Sequence, residues 1–505
     1  MKCFIELLKQ QFQKNSCHPA VIYHHRSLTF GELEQKAETM AAFLREKGLE
    51  KGDIVILYTP EKLPFLILHL GIILCGGVSL PLNPDFTSEE MIYFLNDSGA
   101  RFVFASGEQA SIIQTIKDKC LHLEAVFDPA LALETKENKK INEVSIMPGD
   151  YCFMLYSSGT TGQPKGVVHT HANTAASLLS LQKCWEFSSD DVLLDVLPLF
   201  HIHGLSFAAH LSLISGSSMI ISDRFHPLKT MEKIKEATVF MGVPTFYYAF
   251  LKRQEFKEKA NQWQRTRLFT CGSAPIRSEV LEEIETIIGK PLINRYGMTE
   301  SHVIASLPLE GPYKHGSVGL PLEGIEIKIE KGEPREPRIN TVKQGQKQDP
   351  RTGEVMVRSQ NLFNHYWKKP GAHQLAFDEQ GFFKTGDLGY LDGEGYLFLV
   401  GRVNDLIITS GFNVYPSVVE RVINEFPGIK ESAVIGIPDA LKGERVMAVV
   451  VAESEEKPGI KQLKKHCRNK LANYQCPVHF EMIKELPRNT MGKILKRKLK
   501  EKYTA

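Results

Sequence analysis

Short apolar runs alternate with stretches of helical spacing through the first four hundred positions. Asp53-Ile54-Val55-Ile56-Leu57-Tyr58, Arg101-Phe102-Val103-Phe104-Ala105 and Val192-Leu193-Leu194-Asp195-Val196-Leu197 read as strands buried on both faces. Between them, 30–48 and 88–98 carry apolar residues at helical intervals. Thr29, followed three positions on by Glu32, gives the first of these a capping-box start. Near the amino terminus Phe4, Ile5, Leu8 and Phe12 fall on one helical face, while Glu6 and Lys9 interrupt the apolar stretch and no small-residue cleavage site follows. A docked amphipathic helix is therefore expected there, not a signal peptide. The segment 63–82 contains Pro64, His69, Gly71, Gly76, Gly77 and Pro81. It reads as a buried helix, a Gly-Gly turn and an interior strand, not as a membrane span. Doubly buried strands separated by helices place the chain in the α/β class, with mostly parallel sheets between helical layers.

Two regions break this rhythm. The stretch 331–352 is rich in charge, Pro, Gly and Gln and is expected to be an exposed loop. After Gly401 a new pattern begins, with strand-like runs at 432–437 and 446–451, each near a helical segment. A small α+β lid domain over 404–505 is expected to follow a large domain over 1–403. The tail 493–502 is strongly basic and reads as a solvated helix face. A chain of 505 residues is too long for one core, which agrees with this division. Lys and Arg total 61 against 59 Asp and Glu, so attraction to nucleic acid or anionic membrane is not expected to organise its function. Nine scattered cysteines without a CxxC pair argue against a disulfide scaffold or zinc ribbon and for a reducing, cytoplasmic setting.

The chemistry concentrates after one strand. Tyr151-Cys152-Phe153-Met154-Leu155-Tyr156 runs directly into Ser157-Ser158-Gly159-Thr160-Thr161-Gly162-Gln163-Pro164-Lys165-Gly166. Glycines let backbone amides converge on an anion with no Cβ in the way, and hydroxyls add rotatable donors, so the segment is a candidate polyphosphate cradle. Its spacing is not GxxxxGK[ST], and no GxGxxG follows a strand, which argues against a P-loop NTPase and a dinucleotide fold. A flexible linker would share the composition. The strand before it, and the helix-like run after His169-Thr170-His171, favour the cradle.

This segment resembles the signature of the adenylate-forming superfamily, which includes acyl-CoA synthetases, nonribosomal adenylation domains and luciferase-like enzymes. Further segments occur in that family's order. They are Pro198-Leu199-Phe200-His201-Ile202-His203-Gly204, Gly272-Ser273-Ala274-Pro275, Arg295-Tyr296-Gly297-Met298-Thr299-Glu300-Ser301, Thr385-Gly386-Asp387-Leu388-Gly389, Gly401-Arg402 through Gly411-Phe412-Asn413-Val414, and Pro487-Arg488-Asn489-Thr490-Met491-Gly492-Lys493. The resemblance implies activation of a carboxylate by ATP to an acyl-adenylate, followed by displacement of AMP by a thiol, usually coenzyme A. Such chemistry is mostly positioning and charge neutralisation.

By the same resemblance Ser157, Ser158, Gly159, Thr160, Thr161, Gly162 and Lys165 hold the phosphates, and Gly272, Ser273 and Ala274 line the adenine. Tyr296 stacks on that base beside Gly297 and Met298. Thr299 bonds the α-phosphate, Glu300 holds Mg²⁺, Asp387 accepts from the ribose hydroxyls, and Arg402 contacts ribose or phosphate. Lys493 reaches both the carboxylate and the α-phosphate, His201 borders the acyl pocket, and Gly411 lines a pantetheine tunnel. A zinc reading of His201 with His203 lacks further ligands at suitable spacing. Two positions depart from the family pattern: Asn404 stands where the hinge is usually Asp or Lys, and His365 where Gly is frequent.

The implied acyl pocket (His201, Val243, Pro244, Phe246, Cys271 and Val303 among others) is apolar, which favours a fatty or aryl monocarboxylate. Malonyl-CoA synthetase is the runner-up. The resemblance places an arginine for the distal carboxylate just before a Gly-x-Val-Gly turn, and here Tyr313-Lys314-His315 stands before Gly316. An acyl-AMP ligase loading a carrier protein would carry the same motifs, and so would a non-catalytic nucleotide-binding scaffold. The expected partners are a small carboxylic acid and CoA, with no nucleic acid and no integral membrane segment; a homodimer is left open.

Overall fold

The computed structural model describes residues 2–134, 144–157, 163–331, 351–410, 412–439, 441–454, 458–488 and 494–504. The loop expected at 331–352 lies almost wholly outside them. The chain divides into two compact units. The first comprises 1–315, 319–326 and 358–377, and the second 316–318, 327–357 and 378–505.

The first unit is built on two large mixed sheets, and parallel pairs form the centre of each. In the seven-stranded sheet the order is His365–Tyr366, Lys165–Thr170, Tyr151–Ser157, Val78–Pro81, Ile54–Tyr58, Phe102–Ala105 and Ala125–Phe127. The pairs from Tyr151–Ser157 to Ala125–Phe127 are parallel, and the two at the other end are antiparallel. In the nine-stranded sheet, Leu292–Met298, Leu268–Cys271, Val239–Gly242, Val192–Asp195, Ser218–Ile221 and Pro19–Tyr23 form the parallel stretch. The expected α/β class is what is found.

Helices follow the local rules that the sequence announced. Phe4–Lys14 buries Phe4, Ile5, Leu8 and Phe12. Thr29 and Glu32 make both halves of the capping box, at 3.2 and 2.8 Å, and start the helix Phe30–Glu46. Lys62–Leu74 is buried along its whole length, as a helix apolar on every side must be. It packs against Phe30–Glu46 so closely that a Cβ on Gly71 would lie 2.8 Å from the Met40 Cβ. Among the described residues, no helix is long and apolar enough to cross a membrane.

Strand limits shift where side chains intervene. The run read over 192–197 ends at Asp195, whose Oδ1 accepts from the Leu197 amide at 2.9 Å and turns the chain out of the sheet. His203 opens a π-helical segment, His203–His210.

The second unit contains an antiparallel sheet whose order is Ile325–Glu330, Gly353–Ser359, Phe383–Leu391 and Leu397–Arg402. Its strands mix charged and apolar positions, and the sequence did not announce them as a separate sheet. A further sheet pairs Ile429–Asp439 with Gly443–Ala452 and adds His479–Ile483 in parallel. Helices Pro416–Asn424 and Ile460–Lys470 cover one face of it, and Lys496–Thr504 covers the other. Within the basic tail, Lys496–Thr504 is a helix, and of its side chains only Leu499 is buried.

Candidate nucleotide and acyl site

The stem of the proposed phosphate cradle is an antiparallel hairpin. Ser157 at the end of Tyr151–Ser157 sits opposite Lys165 at the start of Lys165–Thr170. Ser158, Gly159, Thr160, Thr161 and Gly162 lie outside the described residues. The exit of the loop is held on several sides. Tyr93 Oη and Lys369 Nζ both donate to the Pro164 carbonyl, at 2.7 and 3.1 Å, and the Trp367 amide donates to Gly166 O at 2.7 Å. Gly166 is small because a Cβ there would stand 2.7 Å from Met154 Sδ and 3.0 Å from the Trp367 Cβ. His365, the departure from the family pattern, lies in an ordinary extended pairing with Val168. The positive φ of this segment falls at Lys368 instead.

Thr299 and Glu300 occupy the turn between the antiparallel strands Leu292–Met298 and His302–Ser306. Gly297 is required here, since a Cβ would lie 2.2 Å from the His302 carbonyl oxygen. The turn delivers Glu300 to the cradle stem: its Oε1 accepts from Ser157 Oγ at 3.0 Å and from Tyr366 Oη at 3.2 Å. The Phe363 amide donates to the Glu300 carbonyl at 2.7 Å. Lys165 Nζ lies over the Tyr366 ring, 4.9 Å from its centroid. Three sequence-predicted residues, Ser157, Lys165 and Glu300, are thus brought together.

Glu300 fits a hard cation. One of its oxygens is bonded only to neutral hydroxyls, and oxygen donors are what Mg²⁺ takes, commonly one or two carboxylates with phosphates and waters. Among the described residues no group of three or more His, Cys, Asp or Glu side chains could hold a metal without such help.

A second cluster lies where the parallel strands of the nine-stranded sheet end. Gly272, Ser273 and Ala274 follow Leu268–Cys271, with Ser273 at φ 71. Ser273 Oγ is 3.2 Å from His203 Nδ1 and accepts from the Arg295 guanidinium at 3.3 Å. Arg295 is only 3% exposed, and it lies 5.0 Å over the Phe207 ring. Among the described residues it has no acidic partner, its Nε has no hydrogen-bond partner, and neither has Nε2 of the buried His203. Burial pulls the guanidinium down to about 10. It also pulls His201 down to about 4, holding that imidazole neutral at the edge of the cluster. Gly272 admits the arginine, because a Cβ there would meet its Nε at 2.5 Å. Val243, Cys271 and Val303 of the expected acyl pocket are buried, as is Tyr296, in strand register with Ala305.

In the second unit Asp387 and Arg402 are register partners on adjacent strands, and Arg402 Nε lies 2.8 Å from Asp387 Oδ1. The Asp387 amide donates to Thr385 Oγ1 at 3.1 Å. Asn404 sits in the 3-10 turn Val403–Asp405. Gly411 and Lys493 lie outside the described residues.

The sequence assigns no role to Arg295 or Tyr366. For Arg295 a signal existed, a lone charge inside an apolar strand, which burial makes costly unless something pairs with it. Tyr366 carried no signal, because only strand pairing brings it beside Glu300.

Comparison with known proteins places the chain in a family. Residues 8–367 match the AMP-binding enzyme family, and 418–493 match the AMP-binding enzyme C-terminal domain. The long-chain-fatty-acid–CoA ligase FadD13 of Mycobacterium tuberculosis is 33% identical over 488 residues, 95% of this chain and 93% of that one. The malonate–CoA ligase of Arabidopsis thaliana is 30% identical over 98% of this chain and 88% of its own. The crystal structure of ATP-bound MatB from Rhodopseudomonas palustris superposes with a TM-score of 0.90 at 34% identity, covering 100% of this chain and 99% of that one. The chain belongs to the AMP-binding enzyme family.

Proposed function

We propose that this protein is an AMP-forming carboxylate–CoA ligase. It joins an acid to ATP as an acyl-adenylate with release of pyrophosphate, then passes the acyl group to coenzyme A. The observation that carries the reading is the meeting of Ser157, Lys165 and Glu300 at the stem of a Gly/Ser/Thr loop. In it Lys165 and the loop neutralise phosphate, Glu300 holds Mg²⁺, Thr299 bonds the α-phosphate, and Tyr296 with Gly272–Ala274 receives the base. Mg²⁺ would supply charge neutralisation between phosphate oxygens. Asp387 and Arg402 take the ribose. Residues 404–505 act as a mobile domain pivoting at Asn404 and carrying Lys493, the residue for the adenylation transition state. Nine free cysteines suit a reducing cytoplasmic setting.

For the acid, Arg295 favours the reading that the sequence placed second. A buried guanidinium with no acidic partner among the described residues, beside a His203 Nε2 that has none among them either, is built to receive an anion. An acid with a second, distal carboxylate answers that need, as the malonate named for one of the relatives would. A fatty or aryl monocarboxylate leaves the arginine unpaired. The test is pyrophosphate release with a panel of mono- and dicarboxylic acids, with and without CoA. Short dicarboxylates should be preferred. Equal or better use of monocarboxylates would remove the dicarboxylate reading, release without thioester would indicate an acyl-AMP ligase, and no release with any acid would leave a nucleotide-binding scaffold.

A further inference from the structure

We propose that Tyr366 is the positioning residue of the nucleotide corner: its hydroxyl aims Glu300 at the cation accompanying ATP, and its ring keeps the Lys165 ammonium off that carboxylate. The proposal rests on the ligase reading above and adds a residue that its motifs do not assign.

The placement is built by the fold. Tyr366 belongs to the short strand His365–Tyr366 and pairs with Val167, two residues beyond Lys165. It is 6% exposed. Ser157, opposite Lys165 in the hairpin, reaches the same Glu300 oxygen from the other side. Two donors on Oε1 fix the carboxylate rotamer, and among the described residues Oε2 takes no hydrogen bond. Both donors are neutral, so the carboxylate keeps its full charge for a hard cation; a lysine or arginine in their place would compete with the metal.

Lys165 is the cation that could compete, since its strand partner Ser157 already touches Glu300. It is instead held over the aromatic face, 4.9 Å from the centroid. A cation–π contact is weaker than a charge-assisted phosphate contact, so arriving polyphosphate draws the ammonium off the ring without first breaking an ion pair. The surrounding backbone does not depend on the phenol. The Phe363, Asn364 and Trp367 amides donate to Glu300, Val168 and Gly166 carbonyls at 2.7, 2.8 and 2.7 Å.

The experiment compares full-length wild type, Tyr366→Phe and Tyr366→Leu by calorimetric titration with ATP, with and without Mg²⁺, alongside melting temperature and pyrophosphate release. Tyr366→Phe keeps the ring and loses the hydroxyl. It should leave metal-free ATP affinity within about twofold and cut the Mg²⁺-dependent gain in affinity about tenfold, the scale of one hydrogen bond to a charged group. Its melting temperature should not move. Tyr366→Leu should also weaken metal-free ATP binding, because Lys165 then pairs with Glu300, and adding Glu300→Gln should restore that affinity. Full retention of the Mg²⁺-dependent gain in Tyr366→Phe would overturn the aiming role. Identical behaviour of the Phe and Leu variants would overturn the ring's role. A wild type that binds MgATP yet releases no pyrophosphate with any acid would sink the ligase reading and leave this assignment standing.

Discussion

Glu300 and Arg295 belong to one strand–turn segment, five positions apart, yet the fold treats them in opposite ways. The carboxylate is partly exposed and bonded by two hydroxyls that orient it without neutralising it. The guanidinium is buried with one serine, an aromatic face and, among the described residues, no acid. An oriented anion in contact with water waits for a cation at modest cost. A cation buried without a counter-ion costs several kcal/mol, which an arriving anion would recover. The first corner is therefore suited to handling a nucleotide's metal, and the second to reading the charge of the acid.

The largest effect should come from removing the anion of the first corner. Glu300→Gln is expected to lower pyrophosphate release about 100- to 1000-fold with every acid, as loss of an electrostatic group aimed at developing phosphate charge does. A change of less than about threefold would show that Glu300 does not serve the nucleotide.

Removing the cation of the second corner should be selective instead. Arg295→Met is expected to lower kcat/KM for dicarboxylates about 100-fold and to leave or improve that for monocarboxylates. Its melting temperature should hold or rise, because an unpaired buried charge is gone. Parallel loss for both acid classes would make Arg295 a structural residue and dissolve the contrast.

Acid should sharpen the same contrast. Arginine cannot shed its charge when buried, whereas the buried imidazoles of the first unit have done so. His69, His171 and His302 are buried and pulled by desolvation from 6.5 to about 3, 4 and 4, and His169, His203 and His210 are also lowered. His69 and His210 approach at 2.8 Å between Nε2 atoms, and His169 and His302 at 4.4 Å between ring centroids. The folded state thus binds fewer protons than the unfolded state below pH 6.5. Stability is present above that value and falls as the pH drops towards 4, by about 2 kcal/mol at pH 5 for one such imidazole. Urea midpoints at about pH 7.5 and pH 5 measure it, and an unchanged midpoint would mean that the imidazoles are not neutral and buried.

The smallest effect belongs to Ser157→Ala, which removes one of the two donors on Glu300. A rise of about three- to tenfold in the Mg²⁺ concentration for half-maximal activity is expected, on the order of a single hydrogen bond. No change would assign the orientation of Glu300 to Tyr366 alone.

Much of this was legible in the linear chain. The apolar runs around Ile56 and Val103 could only be interior strands, and Thr29 with Glu32 could only usefully cap a helix. Local pattern and capping chemistry act over a few residues, so they survive in one dimension. The ordered motifs likewise singled out Ser157, Lys165 and Glu300, which the fold brings together. The sequence could not show that a hydroxyl at 366 reaches a carboxylate at 300, or that among the described residues the arginine of 292–298 has no acid beside it. Those facts come from register between strands distant in the chain and from the burial it imposes. Charge type is written residue by residue, but whether a charge is paired, and with what, exists only once the sheets have closed around it.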